Sequence, residues 1–268
     1  MAAVCLVLAT VILFELSYAS YLPRYTINTF TVDGAQTLPT NLLARYIDTQ
    51  LNTGARPFFA PNNIFLYNPK RLEDGIVGFF PRIKSVHVSR SSLFATAVIV
   101  AIQERQEFAL WCAGGGLTSS TSSCYRMDDS GFIFAQADTH GLATTTQRYF
   151  FSGGLATSSD PIGRSFAPGR LAGVLALFAQ IGQAHFTPTG AIVDGNGEDF
   201  IVPLKEGFDI KVSFGQDAES VVRNLELILS SDVLQGRQNN IQYIDLRFGD
   251  RAYYKLKSAS ATVTSTLQ

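Results

Sequence analysis

Ile27-Asn28-Thr29-Phe30-Thr31-Val32-Asp33-Gly34 opens the stretch that decides how this chain folds. Apolar and polar side chains alternate from Ile27 to Val32 with the period of two of a half-buried strand, and Asp33-Gly34 supplies the turn that ends it. Thr37 then offers a helix cap, Pro39 lies early enough to be tolerated in a first turn, and Leu42, Leu43, Tyr46, Ile47 and Leu51 share one helical face. After Asn62-Asn63-Ile64-Phe65-Leu66 a second, shorter helix is predicted over 71–79, stopping before Pro81, which disfavours helical geometry in the residue ahead of it. Two strands follow. Ile83-Lys84-Ser85-Val86-His87-Val88 alternates, whereas 95–102 is nearly all apolar and reads as the more central strand, covered on both faces. The order strand, helix, helix, strand, strand implies a small mixed sheet with helices on one face and a free edge.

This block ends in Glu104-Arg105-Gln106-Glu107-Phe108-Ala109-Leu110-Trp111, and its landmarks resemble the POTRA domain of the FtsQ/DivIB cell-division family. The turn Gly34, the Asn63-Ile64-Phe65 lead into the second helix, Leu72, Pro81, Arg90, Phe94 and the Glu104-Arg105 pair fall where that family carries such residues. Ala95 and Glu107 stand where it usually has prolines.

Beyond Trp111 the pattern changes to strands with long Gly/Ser/Thr connections. Phe108 to Cys112 and Cys124 to Met127 read as a hairpin, Asp128-Asp129-Ser130-Gly131 as a turn, and Phe132-Ile133-Phe134-Ala135 as the returning strand. Residues 139–168 read as surface loop with an irregular strand at Arg148-Tyr149-Phe150-Phe151. Leu171, Val174, Leu175, Phe178 and Ile181 lie on a helix face, with Gly182 placed to stop it and His185 to start the next strand. Short strands follow at 191–193, 199–204 and 208–214, then a helix over 218–229 and two strands within 241–255 joined near Gly249. The final pair resembles the Asp-Leu-Arg strand and last edge strand of FtsQ/DivIB, so the resemblance covers most of the chain. It implies an α+β chain: an N-terminal membrane helix (1–22), a POTRA domain of β-α-α-β-β order (26–107), a mostly antiparallel β domain with two helices (108–257) and a disordered tail (258–268).

Residues 2–14 are apolar apart from Thr10, and Glu15 with a tyrosine-bearing tail follows. A bilayer core asks for about 20 apolar residues, so the segment reaches a span only with Glu15 tolerated and the tail in the interface. Two readings stand: a retained anchor, which the resemblance favours, and a secretory signal peptide with small residues at Ser17-Tyr18-Ala19 but no basic n-region. The missing basic tail places the expected true start upstream. Either way the chain after about Tyr25 lies outside the cytoplasm.

That side of the membrane suits a disulfide between Cys112 and Cys124, which the hairpin brings opposite each other; Cys5 lies in the apolar segment.

Composition excludes several functions. With 21 basic against 22 acidic residues and no dense Lys/Arg run, there is no footprint for nucleic acid. The histidines His87, His140 and His185 are isolated, and no metal-ligand spacing, Gly-x-Ser-x-Gly elbow or phosphate loop occurs. Asp194-Gly195-Asn196-Gly197-Glu198-Asp199 lacks the spacing of a calcium loop and reads as a β-turn, and Glu104-Arg105 as a structural ion pair. No cofactor or small-molecule substrate is expected, and no enzyme activity.

The resemblance implies a bitopic scaffold at the division septum that links divisome proteins, binding the small coiled-coil membrane proteins FtsB and FtsL by strand addition to its last strand. The partner-binding positions would be Arg247, Phe248, Tyr253 and Tyr254, against the alternative that Phe248 and Tyr254 are core residues. Two other functions are weighed: a POTRA envelope protein assisting assembly or secretion of other proteins, for which the 157 residues after Trp111 are too few and too helical to form a barrel, and an anchored cell-wall hydrolase, for which no converging acid, base or nucleophile set is visible.

Overall fold

The computed structural model describes residues 1–53, 58–114, 123–137, 149–155, 160–249 and 251–257. His140, the glycine and serine run of 115–122 and the tail from 258 onward lie outside them. The chain is α+β, with an N-terminal apolar helix and a large, mostly antiparallel sheet, and it divides into two compact units, Met1–Arg105 and Gln106–Gln268.

The first unit begins with α1 (Ala2–Ser20), exposed up to Leu16 and partly covered from Ser17 to the buried Ser20. It is long and apolar enough to cross a membrane, a test that a signal sequence also passes. Then come β1 (Thr29–Asp33), α2 (Thr40–Asn52), α3 (Pro69–Phe79), β2 (Ile83–Ser89) and β3 (Ala97–Glu104). The sheet order is β1-β3-β2, with β1 parallel and β2 antiparallel to β3. Leu43, Ile47 and Leu51 of α2 and Leu72 and Ile76 of α3 bury against Val98, Val100 and Ile102. The 3.6-residue period on the helices thereby meets the two-residue period on the strand.

β3 is central, as its apolar run implies, but it is not covered on both sides. Its residues alternate exposed and buried from Ala97 to Glu104, because both helices lie on one face. The helix starts also differ from expectation. Pro39, not Thr37, occupies the position before α2, and α3 starts at Pro69 with the Asn68 side chain accepting from Arg71 N–H. Gly34 turns the chain out of β1 with φ +88°, and a Cβ there would stand 2.1 Å from the Ile102 carbonyl oxygen, so only glycine fits.

Glu104, expected as the partner of Arg105, has its carboxylate elsewhere. It accepts from the backbone N–H groups of Gln36 at 2.7 Å, Thr37 at 2.9 Å and Leu38 at 3.1 Å, and from the Thr37 hydroxyl. Burial pushes this carboxyl up, but the Thr37, Gln36 and Leu38 donors outweigh it and hold it below the ordinary glutamate range. The end of β3 thus satisfies the turn that launches α2.

The second unit carries β4 (Ala109–Cys112), β5 (Cys124–Met127), β6 (Ile133–Gln136), β7 (Tyr149–Ser152), α4 (Leu171–Gln183), β8 (Gly190–Val193), β9 (Asp199–Pro203), β10 (Asp209–Ser213), α5 (Ala218–Leu229), β11 (Ile241–Phe248) and β12 (Arg251–Leu256). Among the described residues nine strands form one sheet in the order β12-β11-β10-β9-β8-β7-β4-β5-β6. Helices α4 and α5 pack on each other, and their apolar stripes join the strands in one core that includes Phe151, Phe178, Ile210, Leu225 and Ile244.

Two expectations fail here. Tyr149–Ser152 is no irregular surface strand: it runs parallel to both β4 and β8 in the middle of the sheet, because Phe150 and Phe151 give it apolar side chains for both faces. Its neighbour β8 approaches so closely that a Cβ on Gly190 would lie 1.8 Å from the Phe150 carbonyl oxygen. Nor does Gly182 stop α4. The helix runs one residue past it, and His185, in the left-handed region at φ 65°, makes the turn that the sequence reading assigned to a strand start.

On the sheet face away from the main core, Leu110, Cys112, Cys124, Ala137 and Phe150 form a smaller cluster. Within it Cys112 and Cys124 are directly paired in the β4–β5 register and joined by a disulfide, Cα–Cα 4.1 Å.

Candidate functional site

Strand β12 lies at one end of the nine-stranded sheet, hydrogen-bonded on one side to β11 and, among the described residues, carrying no strand on the other. Its side chains divide by register. Leu256 pairs with Ile241 and Tyr254 with Ile244, which places them on the helix-covered face, while Tyr253 pairs with Asp245 on the opposite face. The register slips by one residue between Asp245 and Phe248, so β11 carries an extra residue there and Phe248 comes opposite Arg251. That bulge returns Phe248 to the face of Tyr253, and their rings meet edge to face with centroids 5.3 Å apart. Without the slip, alternation would send Phe248 into the core with Ile244 and Leu246.

The backbone of β12 has a direction as well. Lys257 N–H donates inward to Asn240 O at 2.7 Å. Counting back by twos along a strand whose own register has no extra residue, Lys255, Tyr253 and Arg251 also direct their N–H and C=O groups at β11. Ala252, Tyr254 and Leu256 therefore point theirs away from the sheet, the groups an added strand would use.

Of the four positions suggested by resemblance, three present surface: Phe248 is 54%, Tyr253 52% and Tyr254 39% exposed, Tyr254 from the helix-covered face and the other two from the opposite one. Arg247 is engaged inside the unit. Its guanidinium donates to Asp245 Oδ2 at 2.6 Å and Asp199 Oδ2 at 2.7 Å, spanning β11 and β9, and Ser213 of the intervening β10 donates to Asp199 at 2.7 Å. The Ser213 hydroxyl and Arg247 hold the Asp199 carboxyl below its usual range. Burial pushes Asp245 up, but the Arg247 hydrogen bonds outweigh it and the net shift is downward. Arg247 is raised in turn by both carboxylates. The guanidinium carbon also lies 5.4 Å from the Phe248 ring centroid, so the network underlies the exposed ring pair.

On the same face Lys211 sits 4.0 Å from the Tyr243 ring centroid, and burial raises the Asp209 carboxyl against the opposing charges of Lys211 and Lys257. Periodicity gave no sign of the Arg247 network, because its members lie on three strands far apart in sequence. The Asp-Leu-Arg run was its one legible trace.

Elsewhere in this unit a cleft of about 480 Å³ is lined by Gly154, Ala167, Arg170, Val193, Asp194 and Phe214 among others. Arg170 donates to Gly197 O and stacks 5.0 Å from the Phe214 ring centroid. The adjoining 194–199 segment closes as a turn, with Gly197 N–H donating to Asp194 O and Asp194 N–H to Asp199 O, both at 2.9 Å. Among the described residues no group of three or more His, Cys, Asp or Glu could hold a metal ion. His87 is exposed, its Nδ1 3.6 Å from Glu73 Oε1.

No protein-family model matches the chain, and no curated protein matches it.

Proposed function

We propose that this chain is a membrane-anchored scaffold of the FtsQ/DivIB kind, with an extracytoplasmic POTRA domain and β domain that link division proteins at the septum. The observation that carries the reading is the edge strand β12, whose outward N–H and C=O groups at Ala252, Tyr254 and Leu256 lie beside the exposed rings of Phe248 and Tyr253. Main-chain groups supply affinity in strand addition and alternate side chains supply specificity. Supporting it further, the first unit runs strand, helix, helix, strand, strand, the order of a POTRA domain. The apolar α1 and the Cys112–Cys124 disulfide suit an anchored protein whose body faces an oxidising compartment.

The partners proposed are short single-span coiled-coil proteins of the FtsB/FtsL type, one of which adds a strand to β12. The test is capture of partners from native membranes by the tagged full chain and by a Tyr254→Pro variant. Proline at 254 removes an outward donor and obstructs an incoming strand while leaving the β11 ladder whole. Recovery of such proteins by the parent chain and their loss with the variant supports the reading; equal recovery by both removes strand addition as the mechanism.

A further inference from the structure

The end of α1 is bound to the body of the first unit. Ser20 Oγ accepts from Ala60 N–H at 3.0 Å, Asn63 Nδ2 donates to Ser20 O at 3.0 Å, and the Ser17 hydroxyl donates to Phe58 O. Ile64 N–H then donates to Tyr25 O at 2.8 Å and Asn28 N–H to Thr96 O at 3.0 Å, so three segments, 17–28, 58–68 and 89–96, are knitted together where the apolar helix ends. An anchor on a loose tether needs none of these bonds.

The same three segments carry most of the exposed large apolar side chains of this unit outside α1. Phe58, Phe65, Leu93 and Phe94 are between 49% and 70% exposed, and Tyr18 and Tyr21 are exposed at the end of α1. Rings run in series from Tyr25 to Phe65 (6.0 Å) and Phe65 to Phe94 (5.8 Å). The segments contain two arginines, Arg24 and Arg90, and no aspartate or glutamate. Arg24 lies over the Tyr25 ring at 4.7 Å, and Arg90 lies over Tyr67 at 5.2 Å and donates to Leu93 O at 3.1 Å. Aromatic rings with interspersed arginines are the composition that settles at the headgroup level of a bilayer, rings toward the acyl boundary and guanidinium groups toward phosphate.

We infer that this aromatic and arginine collar is a lipid-docking surface: it seats the first unit in the anionic headgroup layer of the bilayer that α1 enters, fixing the body upright on its anchor. The inference rests on α1 being retained in the membrane. Continuity selects this occupant, since the collar is hydrogen-bonded to the residues where the helix must leave the hydrocarbon.

The experiment uses the full chain in phosphatidylglycerol-containing vesicles, with phospholipid brominated near the headgroup as quencher. One tryptophan at a time is added by Phe94→Trp, Phe65→Trp, Phe79→Trp or Leu13→Trp, and the quenching of the parent's Trp111 is subtracted as a common baseline. Phe79, at the far end of α3, is about 15 Å along that helix from the collar and serves as the distal site. Expected is quenching at 13, 65 and 94 and little at 79, with the quenching at 94 reduced about twofold by Arg24→Glu/Arg90→Glu. Quenching at 13 but not at 65 or 94 overturns the docking and leaves the anchor standing. No quenching at 13 removes the anchor and the docking together, and equal quenching at 79 and 94 overturns the docking by showing indiscriminate adsorption.

Discussion

Arg247 Nη1 lies 2.7 Å from Asp199 Oδ2, tying β11 to β9 across the strand between them. The contact ties the base of the exposed Phe248–Tyr253 pair to the interior strands of the sheet.

Removing that tie is expected to loosen the edge without unfolding the unit. Arg247→Ala should cost about 1–3 kcal/mol, since two partly buried carboxylates lose charge-assisted donors. Both carboxyls are held low in the folded protein, so their contribution is fully present above the unfolded aspartate value near 4 and is lost as pH falls through the lower folded values. Urea denaturation from pH 7 to pH 3 should show the parent losing stability toward acid and Arg247→Ala losing less.

Proline placed along β12 should act by parity. Tyr253→Pro removes a group directed at β11 and is expected to destabilise the second unit by about 1–3 kcal/mol, whereas Tyr254→Pro should leave its unfolding midpoint nearly unchanged. Thermal melts of the two variants decide it; equal losses would show that the bulge shifts the direction of the strand.

Glu104→Ala should destabilise the first unit by about 2–3 kcal/mol, because three backbone N–H groups lose a charged acceptor. With its folded pKa lowered, Glu104 stabilises above the unfolded glutamate value near 4.3, and that stability disappears as pH drops below it. Glu104→Gln should fall between Ala and parent at pH 7, measured by denaturant melts.

Gly34→Ala is expected to cost at least about 2 kcal/mol, from positive φ together with the clash against Ile102 O. Gly78, inside α3 with open space at its Cβ, is the control: Gly78→Ala should stabilise by about 0.5–1 kcal/mol.

Thiol labelling of the denatured, unreduced chain should modify Cys5 alone. Reduction should expose Cys112 and Cys124 and lower the stability of the second unit by about 2–3 kcal/mol, the cost of releasing a cross-link of sequence separation 12. Labelling of all three cysteines before reduction would show that the bridge is absent.

Local pattern carried much of this protein. The alternation of Ile27 to Val32, the stripes of α2, α4 and α5 and the facing cysteines could be read because each depends on neighbours within a turn or a hairpin. Tyr149–Ser152 could not, since its partners β4 and β8 come from distant parts of the chain and a four-residue apolar run is too short to signal burial. At the candidate site the residues were named by resemblance as partner-binding, but the way each side chain sits was not legible. Arg247 closed onto carboxylates of β11 and β9, and Phe248 turned outward because of one extra residue in β11, a property of the register between two strands.

The amino-acid sequence by itself determined the elements, the apolar helix at the N-terminus and the pairing of the thiols, all products of short-range periodicity. Only the tertiary structure decided that β7 is central, that Glu104 serves the start of α2 and that Phe248 faces away from the core. Those outcomes depend on which distant strands meet and at what offset, and a one-residue offset moves a side chain from core to surface.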